Sequence, residues 1–123
     1  ITIVLIIAVF VLAPAMAAAV DEKDFEVKTT RDLISLCTAP PDDPLYTPAV
    51  NFCHGYLVGA YDYYRVVAAG PEGFQLVCMS EPKPSRNEAF AMFIDWANNH
   101  PQYMNEPPVE TQFRFLVETW PCD

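Results

Sequence analysis

Apolar positions recur at helical spacing in four stretches of this chain, and no segment alternates convincingly in the manner of a strand. The first stretch opens on Thr29-Thr30-Arg31-Asp32, which has the form of a capping box, and leads into Leu33, Ile34, Leu36 and Cys37. The longest runs from Ala49 to about Ala69, with Cys53, Leu57, Ala60, Tyr64 and Val67 on one face. Phe52, Tyr56, Gly59 and Tyr63 widen that stripe, and Pro48 behind Thr47 is placed to be its first helical residue. A second capping box, Ser85-Arg86-Asn87-Glu88, precedes Phe90, Phe93, Ile94 and Ala97. Asn105 is the expected cap of a last helix whose apolar side is Val109, Phe113, Leu116, Val117 and Trp120.

Breakers separate these stretches. Thr38–Pro48 holds Pro40, Pro41, Pro44 and Pro48 and reads as a loop. Gly70-Pro71-Glu72-Gly73 ends the long helix, and Asn98-Asn99-His100-Pro101 ends the next. Phe74–Met79 fits either an extended segment or a helical turn, and Ser80–Ser85 is a second Pro-containing loop. Gly55 and Gly59 put two bare patches of backbone on one side of the long helix. Since Gly inside a helix costs about 1 kcal/mol, close approach of another helix is the expected reason. The fold class is therefore all-α, a small bundle of about four to five helices, in a domain spanning residues 29–123.

The chain opens differently. Ile1–Leu12 is apolar apart from Thr2, and small residues follow, including Ala15, Ala17 and Ala19. This is the form of a secretory signal peptide, expected over residues 1–19, with a few residues expected ahead of Ile1. The run is shorter than the about 20 residues of a membrane span, so no membrane insertion is expected after cleavage. The charged segment 20–28 is expected to be flexible, ordered late or not at all.

All 16 acidic and all 7 basic residues follow position 20, giving the mature part the full formal charge of −9. With no basic patch to neutralise phosphates, a nucleic-acid or anionic-membrane partner is excluded. A basic protein partner would be steered towards such a surface, and the charge also keeps an exported protein dispersed.

Cys37, Cys53, Cys78 and Cys122 form an even set in a short exported chain, which reads as two disulfides. No spacing is C-x-x-C, so zinc and thioredoxin-like chemistry lack support. Four cysteines allow three pairings, and the spacing does not choose among them. The working expectation is Cys37–Cys53, across the Pro-rich loop, with Cys78–Cys122, tying the C-terminal half to its last turn.

Catalytic chemistry finds little footing. His54 and His100 are the only histidines. His100 stands at a helix C-terminus, where an exposed His favours the dipole. Asp62 lies among Tyr61, Tyr63 and Tyr64, where a hydrogen-bonded helix–helix contact is the expected role. The serines lack a nucleophile-elbow context, and no phosphate loop, EF-hand or H-E-x-x-H pattern occurs. No catalytic residue, metal or cofactor is expected. Tyr61, Tyr63, Tyr64, Tyr103 and Trp120 are residue types enriched at binding hot spots, though aromatics at helical spacing more often serve a core.

The run Cys53-His54-Gly55-Tyr56-Leu57-Val58-Gly59-Ala60-Tyr61-Asp62 resembles the C-x-G-Y-[IL]-x-G-x-x-D signature of the Rap/Tai family. These are periplasmic immunity proteins that neutralise peptidoglycan-amidase effectors of type VI secretion. The likeness covers about residues 29–122, with Leu36-Cys37 ahead of the signature, Cys78 opening the second half, and His100-Pro101 and Trp120-Pro121-Cys122 each closing a helix. It implies an all-helical fold, two disulfides, frequent homodimers and inhibition by plugging the amidase groove. Gly55, Tyr56, Gly59, Asp62, Pro101 and Pro121 are then structural signature positions. The family usually has Pro soon after the third cysteine and a Thr-x-x-Gln opening the next helix. Here Cys78-Met79-Ser80-Glu81-Pro82-Lys83-Pro84-Ser85 is longer and more charged, with Ser85-x-x-Glu88 in that role. Partner contacts are accordingly expected at Glu81, Lys83 and Ser85 and on the exposed side of Tyr61, Tyr63 and Tyr64. The rivals are a periplasmic acid-stress chaperone, a structural envelope component and an enzyme of unknown type.

Overall fold

The computed structural model describes residues 19–123. The expected signal peptide, Ala19 apart, lies outside the described residues. Four α-helices follow in order: α1 (Thr30–Cys37), α2 (Tyr46–Ala68), α3 (Arg86–Asn98) and α4 (Pro108–Thr119). Among the described residues, 3₁₀ turns at Glu22–Glu26 and Pro101–Tyr103 complete the regular structure, with one isolated antiparallel bridge between Val77 and Pro121. The protein is all-α.

The short helix α1 is the central pin of the bundle. It packs against α2, α3 and α4, and Leu33 and Leu36 are fully buried in it. Burying each such side chain stabilises the fold by about 1.5–3 kcal/mol. Thr30 at its N-terminus is buried too, and the free N–H groups of the first turn find partners. The Thr29 hydroxyl accepts from Asp32 N–H, and Thr30 and Arg31 donate to the carbonyls of Glu106 and Met104 at 2.8 and 3.0 Å.

Helix α2 begins at Tyr46, two residues before Pro48, which sits in the first turn rather than opening it. The first four N–H groups of a helix have no internal acceptor, so a proline there loses nothing. Asp43 closes the preceding loop, accepting from Leu45 N–H at 2.8 Å and from Val20 N–H at 2.9 Å. The second of these bonds pins the N-terminal segment. In this segment Asp21 and Asp24 form a capping box, Ser35 donates to Asp24 at 2.7 Å, and Phe25 meets the Phe52 ring edge-on.

Both expected disulfides are present, Cys37–Cys53 tying α1 to α2 and Cys78–Cys122 tying the 70s loop to the C-terminus. Segment 76–78 is irregular apart from the bridge that Val77 makes with Pro121. Tyr64 accepts from the N–H groups of Leu76 and Val77 at 2.8 and 3.0 Å, and Cys78 N–H donates to Trp120 at 2.9 Å.

The start and buried face of α4 differ from the sequence expectation. The helix begins at Pro108 behind Pro107, and Pro108, Thr111, Gln112, Phe115 and Leu116 are buried. Val109 and Val117 are exposed. The helix turns its two polar residues inward because each finds partners there. Thr111 meets Thr30 and Tyr103, and Gln112 donates its amide N–H to Leu57 C=O at 2.8 Å.

Candidate functional site

Helix α4 packs on both α2 and α3, whereas α2 and α3 barely meet. The gap between them is a groove of about 350 Å³ with α4 as its floor. Leu57, Phe93, Phe115 and Leu116 supply apolar walls, and Gln112 lies among them. Around these stand Tyr61, Asp62 and Arg65 from α2, and Lys83, Ser85 and Arg86 from the loop and the start of α3.

The capping box fixes one lip. Ser85 N–H donates to the Glu88 carboxylate at 2.7 Å, and Glu88 N–H donates back to the Ser85 hydroxyl at 3.3 Å. These bonds hold the Glu88 carboxyl below its ordinary range, the backbone bond contributing most. Within the loop, Glu81 accepts from Lys83 N–H at 3.2 Å and pairs with its ammonium at 3.8 Å. On the other lip, Asp62 pairs with Arg65 one turn along at 3.7 Å. The Asp62 carboxylate is exposed and bonds no neighbouring helix, so its expected interhelical role is replaced by a local ion pair, worth about 0.3–0.5 kcal/mol.

Of the six expected contact residues, Tyr61, Lys83 and Ser85 meet at this groove. Glu81 stands beside it through Lys83. Tyr63 is 74% exposed, away from the groove lining. Tyr64 is drawn inward, stacked edge-on against Phe113 at 5.1 Å, with its hydroxyl holding segment 76–78. Among the signature positions, Gly55 and Gly59 face open space, with nothing within 4 Å of where a Cβ would stand. The expected close helix approach is therefore absent among the described residues. Tyr56 is half-buried against Val109, and burial pushes its phenol up. Pro101 opens the second 3₁₀ turn, and Pro121 forms the bridge with Val77.

The histidines are packing residues. His54 lies on the Phe90 ring at 4.5 Å. His100 is half-buried rather than exposed, its ring stacked 3.8 Å from that of Trp96, with the Tyr103 ring 5.8 Å from Trp96 and 5.9 Å from His100 and with Nδ1 2.6 Å from the Trp96 carbonyl. Arg114 lies over the Tyr103 ring, its guanidinium 4.7 Å from the ring centre and bidentate to Glu106. Among the described residues, no group of three or more His, Cys, Asp or Glu is arranged to hold a metal ion.

Sequence reasoning passed over Arg65, Arg86 and Gln112 as site residues. The available signal for Gln112 was its place four residues before Leu116, a polar side chain in an otherwise apolar row.

The described residues form a helical, doubly disulfide-bonded domain with an open groove. The chain matches the family model of Rap1a immunity proteins over residues 29–122 and belongs to that family. No curated protein and no solved structure matches it. No helix among the described residues is long and apolar enough to cross a membrane.

Proposed function

We propose that the protein is a periplasmic immunity protein that binds a peptidoglycan amidase effector and blocks its active site, without chemistry of its own. The observation that carries this reading is family membership over residues 29–122. Two disulfides support an oxidising compartment. The formal charge of −9 favours fast encounter with a basic partner. The contact surface in this reading is the Ser80–Ser85 loop with Tyr61 and Tyr63, and a second copy of the chain is a further partner.

The test is a pull-down of the oxidised protein from periplasmic and secreted fractions, followed by titration into the activity of any amidase recovered. Stoichiometric loss of amidase activity is the expected result. Reversing the charges of Glu81 and Lys83 together with Tyr63→Ala should weaken inhibition by about tenfold or more, as loss of a hot spot does. Unchanged inhibition by that triple variant would place the contact elsewhere. One observation favours a chaperone instead: Tyr63, Val66, Val67 and Phe74 are all exposed around the end of α2. Capture of many unrelated proteins, growing as carboxylates protonate near about pH 4, would replace the immunity reading with that one.

A further inference from the structure

We propose that Asp43 is the seat of the processed N-terminus: removal of the leader at the Ala19–Val20 bond frees an α-ammonium that pairs with this carboxylate. This rests on the reading that the protein is exported, and it gives the chain end that export creates a place in the fold.

Three observations converge on this pair. The Val20 side chain is 8% exposed and belongs to the core, whereas Ala19 before it is exposed and in no regular structure. The edge of the core thus falls at the bond after Ala17-Ala18-Ala19, whose first and third residues are small, as a signal peptidase requires. Next, the Val20 nitrogen lies 2.9 Å from Asp43 Oδ2, while Asp43 Oδ1 accepts from Leu45 N–H at 2.8 Å. Finally, Asp43 is half-buried, yet among the described residues it stands in no ion pair. Taking a carboxylate out of water is costly without a cation beside it. The nitrogen already aimed at Asp43 becomes that cation on cleavage.

Water and the peptidase suffice for the step. Hydrolysis breaks the C–N bond between Ala19 and Val20, and the water oxygen stays on the Ala19 carbonyl carbon as part of a carboxylate. The Val20 nitrogen leaves with both water protons, as an ammonium. Its added N–H groups replace the bond to Ala19, which is exposed, so they meet water while the original one keeps Asp43. A backbone hydrogen bond thereby becomes an ion pair, which ties the first residue of the processed chain to the turn that starts α2.

The test expresses the chain with its leader in a bacterial host and reads the N-terminus of the exported product by intact mass and sequencing. The parent is expected to begin at Val20. Ala19→Leu removes the small residue before the cut and diverts processing to Ala15-Met16-Ala17, so that its product begins at Ala18 and keeps an amide at Val20. Urea denaturation is then measured for both products, each with and without Asp43→Asn. Asp43→Asn should lower the folding constant of the Val20 product about fivefold more than that of the Ala18 product, the share of a partly exposed ion pair. A second readout needs no Asp43 variant. The Val20 α-amine should acetylate about fivefold more slowly in the folded protein than in urea, and the Ala18 α-amine at similar rates in both. Equal losses from Asp43→Asn, or a folded Val20 amine as reactive as the unfolded one, would overturn the ion pair. A parent product that begins at Ala18 would overturn it too while leaving the export reading intact. A chain that stays in the cytoplasm with its leader attached would remove that reading, and the proposal with it.

Discussion

The hydroxyls of Thr30 and Thr111 lie 2.6 Å apart in the core, although 81 positions separate them in the chain. Both residues are fully buried. Thr30 also reaches the Glu106 carbonyl at 3.2 Å, and Thr111 the Tyr103 carbonyl at 3.3 Å. Two protons thus serve a chain of acceptors that fastens the first helix to the last. Thr30→Val or Thr111→Val is expected to cost about 1–2 kcal/mol, since either leaves a buried hydroxyl with fewer partners. The double variant should cost less than the two single losses added, because removing both members of a pair leaves no orphan. Urea denaturation of the four proteins measures this coupling. Strict additivity would mean that the two hydroxyls do not act together.

The two disulfides differ in their surroundings. Cys53 is fully buried, whereas Cys78 is exposed. Access governs attack by a thiolate, so mild reductant is expected to open Cys78–Cys122 first. Differential alkylation with mass spectrometry would read the order directly. On chain-entropy grounds, closing sequence separations of 16 and 44 residues contributes about 3 and about 4 kcal/mol. The bridge that opens first therefore carries the larger entropic share, and its loss should also release segment 76–78 from the C-terminus.

The parts of the fold written in local chemistry were legible in the sequence. Thr29 and Ser85 each stand three residues before an acid and did cap α1 and α3, because a capping box is made within four residues. The burial pattern of α4 was not legible. Periodicity favoured Val109 and Val117 over Thr111 and Gln112, yet the two polar residues point inward to partners on α1 and α2. Such partners are distant in sequence, and periodicity carries no information about them. The groove was half legible for the same reason. Tyr61, Lys83 and Ser85 stood out by type and loop position, but Arg65 and Gln112 join them only through tertiary packing.

Gly55 and Gly59 offer a direct check on the open face of α2. No heavy atom lies within 4 Å of an added Cβ at either position, and neither has a positive φ. Gly55→Ala and Gly59→Ala should each stabilise the protein by about 0.5–1 kcal/mol through helix propensity. Gly73→Ala should do the opposite, since its Cβ would stand 2.2 Å from the Val67 carbonyl oxygen and 2.6 Å from that of Ala68. Thermal unfolding of the three variants separates the cases. A destabilised Gly59→Ala monomer would mean that the face is not open in solution.

The lip of the groove should loosen in acid. Hydrogen bonds from Ser85 hold the Glu88 carboxyl below its ordinary value, so the folded state binds its proton less readily than the unfolded chain does. A depressed carboxyl contributes stability that is present in full above the unfolded pKa, about 4.3, and disappears as the pH falls through the lower folded value. Below that point Glu88 is neutral and its bond to the Ser85 N–H weakens. NMR titration should show the Ser85 amide signal moving with the Glu88 carboxyl, and amide exchange in the first turn of α3 rising across the same interval. Glu88→Gln keeps a side chain able to accept from Ser85 N–H and has no proton to gain. It should abolish that pH dependence while leaving α3 capped at neutral pH. If the first turn frays equally in both proteins as the pH falls, the acid response belongs to another group.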